Sequence, residues 1–339
     1  MMKIFVTGGA GFIGSNFIRY MMKKYPDYEI VNYDKLTYAG NLDNLKDIAD
    51  SPNYKFVQGD ICDYDKVAEN VKDVDVIINF AADSHVDRSI GHNPGDFIQT
   101  DVAGTFTLLE AMKNNKQPIE RFIQISTDEV YGDIEAPDFS KETDRLDPSS
   151  MYSASKAGGD LQVLAAQRTF DLPVLITRCT NNYGPYQYPE KLIPLFVTNL
   201  LEDEKVPLYD GGTQIRDWLY VDDHCSAIDV VLHKGELGEI YNVGANNDPE
   251  ITNLEITKKA IEMCGKDESY IEPVEGIRPG HDQRYAVDVA KIKKLGWQAE
   301  VEFDEGIERT IKWYQDNKWW WEKIKSGEFK KYYEKQYKK

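Results

Sequence analysis

Residues 126–132 read Ser-Thr-Asp-Glu-Val-Tyr-Gly and follow the apolar run Arg121-Phe122-Ile123-Gln124-Ile125. Two adjacent carboxyls, Asp128 and Glu129, therefore stand where a strand is predicted to end. Charged groups are costly beside a buried strand unless the surroundings make use of them. A pair of carboxyls can divide proton donation and proton removal when their environments separate their pKa values. The plainer reading makes them polar loop residues that cap the next turn. Downstream, Tyr152-Ser153-Ala154-Ser155-Lys156 sets a phenol and an ammonium four residues apart, on one face of a predicted helix, where both can meet the same ligand. A phenol with an ordinary pKa of about 10 acts as a base near neutrality only if that value falls by about 3, roughly 4 kcal/mol of differential stabilisation. A nearby cation such as Lys156 is one source of it. Taken alone, YxxxK also occurs on ordinary surfaces, so its weight comes from what precedes it.

What precedes it is a strand-helix alternation. Lys3–Thr7 and Glu29–Tyr33 read as strands around a helical pattern from Phe12 to Met22. Further strands are predicted at 55–58, 74–80, 122–126 and 174–177, with helical patterns near 64–72, 101–114 and 151–168. This is an α/β chain: a Rossmann-type doubly wound parallel sheet covered on both faces, with a smaller C-terminal substrate-binding domain. The expected division is 1–178 for the cofactor domain, rejoined by about 213–243, with 179–212 and 244–339 forming the substrate domain. Gly8-Gly9-Ala10-Gly11-Phe12-Ile13-Gly14 lies between the first strand and the first helix. There glycines allow a tight turn and close approach to a pyrophosphate, whose charge meets the helix N-terminus. Asp34, twenty residues after Gly14, can accept from a ribose 2′-hydroxyl and would repel a 2′-phosphate, which favours NAD over NADP. Lys35 beside it works against that preference. The positive nicotinamide ring of bound NAD would be a second cation near Tyr152.

The chain has 339 residues, 41% of them hydrophobic, enough for one large domain or two smaller ones. A formal net charge of −18 opposes binding to nucleic acid or an anionic membrane and points to a small-molecule ligand. Cys62, Cys179, Cys225 and Cys264 are too scattered for a metal knuckle and too few for a disulfide scaffold, so no metal is expected and a reducing compartment fits. The glycine loop begins within a few residues of the N-terminus and no run reaches membrane-spanning length, so a cytoplasmic protein is expected. From Lys323 onward seven Lys face two Glu, which reads as a solvated helix pinned by Trp319–Trp321 in preference to a basic interaction tail, since the net charge opposes the latter.

With these features in order, the chain resembles extended short-chain dehydrogenases/reductases that act on nucleotide sugars. The stretches TGGAGFIGSNF, YDKLTYAGN, SHVDRSI, STDEVYGD, YSASKAGGD, RCTNNYGPYQ, EKLIP, QIRDWLYVDDH and RPGHDQRY resemble the dTDP-glucose 4,6-dehydratase family over nearly the whole length. Sugar epimerases of the superfamily usually lack an acid pair after the Ser/Thr at the position of Thr127, so Asp128-Glu129 is the discriminating feature. The resemblance implies oxidation of sugar C4 with Tyr152, Thr127 and Lys156, loss of water across C5 and C6 with Glu129 as base and Asp128 as acid, and return of hydride to C6. It also implies an NAD site lined, beside Gly8, Gly11 and Gly14, by Phe12, Ile13, Asp34, Lys35, Thr37, Asp60, Ile61, Ala81, Ala82, Thr100 and Asn182. The nucleotide sugar, dTDP-glucose, would be held by Ser84, Thr127, Asn181, Lys191, Leu192, Pro207, Tyr209, Arg216, Asn253, Arg278, His281 and Tyr285. Arg216 and Arg278 suit a diphosphate because a guanidinium offers a fork of donors, or else they form buried ion pairs. His85 and Asp87 would lie near the site, and NNDPEIT before Asn253 carries a small insertion against the family pattern. Family members are homodimers joined through cofactor-domain helices, here around 101–114 and 151–168. The competing readings are a UDP-sugar 4,6-dehydratase, a 4-epimerase, and a non-catalytic NAD-sensing module.

Overall fold

The computed structural model describes residues 2–91, 94–276, 282–327, 329 and 333, so Arg278 and His281 lie outside the described residues. Strands β1 (Lys3–Thr7), β2 (Glu29–Asp34), β3 (Tyr54–Gln58), β4 (Val76–Asn79), β5 (Arg121–Thr127), β6 (Val174–Cys179) and β7 (Ile240–Val243) form one sheet. All its pairings are parallel, in the order β7-β6-β5-β4-β1-β2-β3. The order reverses between β1 and β4, and in open sheets of this type the ligand crevice opens at that point, beyond the carboxyl ends of the strands.

Alternate residues of each strand serve opposite faces. Ile4, Val6, Val76, Ile78, Ile123 and Ile125 pack with α1 (Phe12–Lys24), and with Ile228, Val231 and Leu232 of a later helix, Val221–Lys234. Phe5, Ile77 and Phe122 pack on the other face against α2 (Tyr64–Asn70), Leu108 and Leu109 of Thr105–Lys113, and Val163 of Met151–Phe170. Burial on both faces explains why these strands read as continuous apolar runs.

Two segments differ from the sequence expectation. The helix predicted at 101–114 begins as a π-helical stretch, Ile98–Gly104, before turning α-helical over Thr105–Lys113. It runs close against Met151–Phe170, because a Cβ on Gly159 would stand 2.8 Å from the Asp101 carbonyl oxygen. The Trp run also departs from expectation: Trp320 and Trp321 are buried whereas Trp319 is exposed. Three consecutive helical residues spread over about 200° of the surface, so they cannot all face one core.

Beyond Cys179 the chain builds smaller units. Asn181–Tyr183 pairs with Trp218–Tyr220, Val206–Tyr209 with Ile271–Val274, and Ile215–Arg216 with Ile251–Thr252. Tyr183, Trp218, Ile256, Ile307, Tyr314, Trp320 and Trp321 form a separate aromatic-rich core. Among the described residues, no helix is long and apolar enough to cross a membrane, and no three His, Cys, Asp or Glu side chains gather as a metal site. All four cysteines are free.

Candidate active site

β5 ends at Thr127, whose extended backbone leads into a short 3-10 turn, Asp128–Tyr131. Thr127 caps this turn by accepting from the Glu129 N–H at 3.3 Å, so neither carboxyl is needed as its cap. The Thr127 hydroxyl donates to Asp128 Oδ1 at 3.2 Å, while Asp128 Oδ2 is buried with no protein partner. Asp128 is 3% exposed and Glu129 is half-buried beside it. Burial first, and then the charge of Glu129, pushes the Asp128 carboxyl up to about 8, with Arg216 pulling the other way. Asp128 thus holds its proton at neutral pH, as a general acid must.

Ser150 and Ser153 form a reciprocal capping box that starts the helix Met151–Phe170 and fixes its rotation. Tyr152 and Lys156 then stand one turn apart, both buried and both lining the same crevice as Thr127, Asp128 and Glu129. The Lys156 ammonium donates to the Ile125 carbonyl at 2.8 Å, which fixes it beneath the end of β5. The protein alone does not lower the Tyr152 phenol: burial, then Glu129, Asp101 and Cys179 raise it well above its ordinary value, opposed by Thr127. Its activation therefore falls to the charge that a bound ligand brings close.

The glycine loop closes the crevice on its β1 side. Gly8 has a φ of +66°, and a Cβ there would lie 2.6 Å from the Ala81 nitrogen, while one on Gly14 would lie 2.5 Å from the Gly8 oxygen. Gly11, the N-cap of α1, makes no side-chain cap, which leaves the first N–H groups of α1 free of side-chain caps, suited to a phosphate. Asp34 accepts from the backbone of Ala10 and Leu36 at 2.9 and 2.8 Å, which ties the end of β2 to this loop. Lys35 is engaged by Asp60 at 2.7 Å, so its ammonium is paired instead of waiting for a 2′-phosphate. Phe12, Ile13, Thr37, Ile61, Ala81, Ala82, Thr100 and Asn182 line the same space. Thr100 donates to Asp83 at 3.0 Å, and Asn182 is oriented by His224 at 2.8 Å, a histidine that burial holds neutral by lowering it to about 3. Ser126, Asp128, Thr180, Asn181 and Gln187 all line the crevice and each carries a buried oxygen without a protein partner. Such atoms call for a polar ligand. A dinucleotide fits this donor set, anion cradle and carboxylate.

Of the residues expected to hold the sugar nucleotide, Ser84, Thr127, Asn181 and Lys191 line the crevice. Leu192, Pro207, Tyr209, Arg216, Asn253 and Tyr285 lie outside its lining, on the smaller units. Arg216 forms no ion pair among the described residues. It donates to the carbonyls of Ile215, Asp282 and Gln283 and stacks 4.1 Å over Tyr285. Burial first, and then Glu129, raise the Tyr285 phenol, and Arg216 opposes the rise at Asp128, so this pair neighbours the acidic turn. Tyr209 reaches Asp87 at 3.4 Å, and Asn253 starts the helix Asn253–Met263 with its side-chain oxygen buried. Sequence reasoning passed over Asp83, Cys179, Gln187, Tyr188 and Glu190, all in the lining. The stretch YQYPEK carried a signal for two of them, an aromatic and a carboxylate directly before the expected Lys191.

The chain is 52% identical over 313 residues to the low-salt glycan biosynthesis protein Agl12 of Haloferax volcanii, covering 92% of this chain and 98% of that one. It is 48% identical to a dTDP-glucose 4,6-dehydratase of Streptomyces niveus, covering 96% of each. The crystal structure of dTDP-glucose 4,6-dehydratase from Bacillus anthracis in complex with NAD superposes with a TM-score of 0.88 at 50% identity, covering 96% of this chain and 100% of that one. The family model described as GDP-mannose 4,6 dehydratase matches residues 5–310, and the chain belongs to that family.

Proposed function

We propose that the protein converts dTDP-glucose to dTDP-4-keto-6-deoxyglucose and water, with NAD held in the β1/β4 crevice. The observation that carries this reading is Asp128, a buried carboxyl that keeps its proton, directly beside Glu129 and in one crevice with Tyr152 and Lys156. Bound NAD supplies a reversible hydride acceptor, taking hydride from sugar C4 and giving it back at C6. Tyr152 takes the proton of the 4-hydroxyl, assisted by the Thr127 hydroxyl, and the ammonium of Lys156 with the positive nicotinamide offsets the charge that forms. The new C4 ketone acidifies C5–H by resonance, so Glu129 removes that proton while Asp128 protonates the departing 6-hydroxyl, which leaves as water. Glu129 returns its proton to C5 when C6 is reduced. The proton gained by Tyr152 replaces, through solvent, the one lost by Asp128, and every group is back where it began.

Residues 1–178 with 213–243 would carry the cofactor, and 179–212 with 244–339 the nucleotide sugar. Ser84, Asn181 and Lys191 would link the two, and Arg216 would meet the diphosphate. A cytoplasmic homodimer in dTDP-rhamnose synthesis fits this role. Support for the dimer comes from Ile98, Phe106 and Leu161, exposed apolar side chains on the π-helical stretch and the two helices beside it. The test is an assay of dTDP-, UDP-, CDP- and GDP-glucose side by side. An alkali-labile 4-keto product from dTDP-glucose without accumulated NADH is expected, and stoichiometric NADH release or a C4 epimer would overturn the reading.

A further inference from the structure

Three rims of the crevice come from distant parts of the chain: the loop after β2 (Thr37, Ala39, Gly40), the segment after β4 (Ala82–Ser84), and the segment 188–191. One cluster joins them. Arg88, on the short helix Val86–Gly91, donates from Nε to Glu190 Oε2 at 2.8 Å. The same guanidinium lies 3.7 Å over the ring of Tyr38, which meets Tyr188 edge-on at 5.5 Å. His85 contacts the Glu190 carbonyl at 3.1 Å, and Lys191 donates to the Ser84 carbonyl.

The Glu190 side chain is 1% exposed and that of Arg88 18%. A carboxylate so buried depends on its cation, and a planar guanidinium can pair with it while stacking on a ring, as an ammonium cannot. Tyr38 and Arg88 each sit within a few residues of crevice-lining positions on their own rims, and Glu190 lines the crevice on the third. Opening this one pair therefore loosens all three rims together.

We infer that Arg88 and Glu190, with Tyr38 stacked on the guanidinium, form a clasp that retains the dinucleotide between and during turnovers. In this reading both are positioning residues that act by holding the crevice walls together. The inference rests on the NAD reading given above. Hydride taken from C4 must be returned to the same sugar, so a cofactor that escaped midway would strand an oxidised hexose. Since the cycle has no net redox change, the site gains nothing from releasing its cofactor.

The test uses the holoprotein with Glu190→Gln, which keeps shape and removes charge, and Arg88→Lys, which keeps charge and removes the planar fork. Exchange of bound NAD against isotopically labelled NAD is timed without any sugar present, and folding is checked by melting in saturating NAD. The parent is expected to exchange slowly, Glu190→Gln about tenfold faster or more, and Arg88→Lys in between. Arg88→Lys, which alters no crevice-lining residue, should regain turnover when NAD is added in excess, and both variants should release a fraction of NADH with a 4-keto sugar that still bears its 6-hydroxyl. Exchange within twofold of the parent in a folded variant would overturn the clasp, as would lost activity of Arg88→Lys that excess NAD fails to restore. Should Glu190→Gln fail to fold, Arg88→Lys decides. Because exchange needs no sugar, a parent that binds NAD but leaves dTDP-glucose unchanged would refute the proposed reaction and leave the clasp to be judged separately.

Discussion

Replacing Asp128 by Asn should weaken catalysis and strengthen the fold. Asp128 is held protonated at neutral pH by burial and by Glu129, with its carboxyl moved from 3.8 up to about 8. In the unfolded chain the same group ionises near 3.8, so the native state binds the extra proton. For a raised pKa the associated stability is fully present below about 3.8, is lost steadily as pH rises, and is exhausted above about 8. At pH 7 the loss follows from the gap of about 3 between 7 and 3.8, at 1.36 kcal/mol for each, or roughly 4 kcal/mol. Asparagine has the same shape and never ionises. Asp128→Asn should therefore exceed the parent by about 2–4 kcal/mol at pH 8, allowing for relaxation of the cleft, and by close to nothing at pH 4. Urea unfolding of both proteins across pH 4–8, with NAD at a fixed concentration, measures this. In the same variant water elimination should slow by about 10²–10⁴-fold while C4 oxidation persists. A stability difference that does not change with pH would mean that native Asp128 is ionised, and its role as the acid would fall.

Glu129→Gln should allow C4 oxidation, visible as reduced-cofactor absorbance that forms and stays, with elimination slowed about 10²–10⁴-fold. Since Glu129 charge is the second cause of the rise at Asp128, the alkaline limb that Asp128 imposes on any residual rate should move to lower pH. Gly14→Ala places a methyl 2.5 Å from the Gly8 oxygen, so the loop must shift, and calorimetry should show NAD affinity down by about tenfold or more with the fold retained. Phe106 and Leu161 are 51% and 58% exposed, so changing both to Glu should leave a monomer in light scattering if that face joins two copies.

Much of the sheet was legible because parallel strands buried on both faces leave unbroken apolar stretches such as KIFVT and VIIN. The glycine loop and the Tyr152/Lys156 pair were legible for a related reason: local geometry, a tight turn or one helical repeat, sets their spacing. The π-helical stretch at 98–104 was not, since it arises where Gly158 and Gly159 let another segment come close, a contact no window on 98–104 contains. The clasp was invisible for the same cause, as Arg88 and Glu190 are 102 residues apart and each reads alone as a surface charge. The direction of the Tyr152 shift was also beyond the sequence. The phenol is expected to be lowered by Lys156 and a bound nicotinamide together, yet in the protein alone Lys156 is fixed on the Ile125 carbonyl while burial, Glu129 and Asp101 raise the ring.

The most direct test of an oxidised sugar held between cofactor, acid and base is the fate of the hydrogen at C4. With dTDP-glucose deuterated at C4, NMR and mass analysis of the product should place the deuterium at C6 of the same molecule. Deuterium retained at C4, lost to solvent, or recovered in free NADH would contradict the reaction proposed for this site.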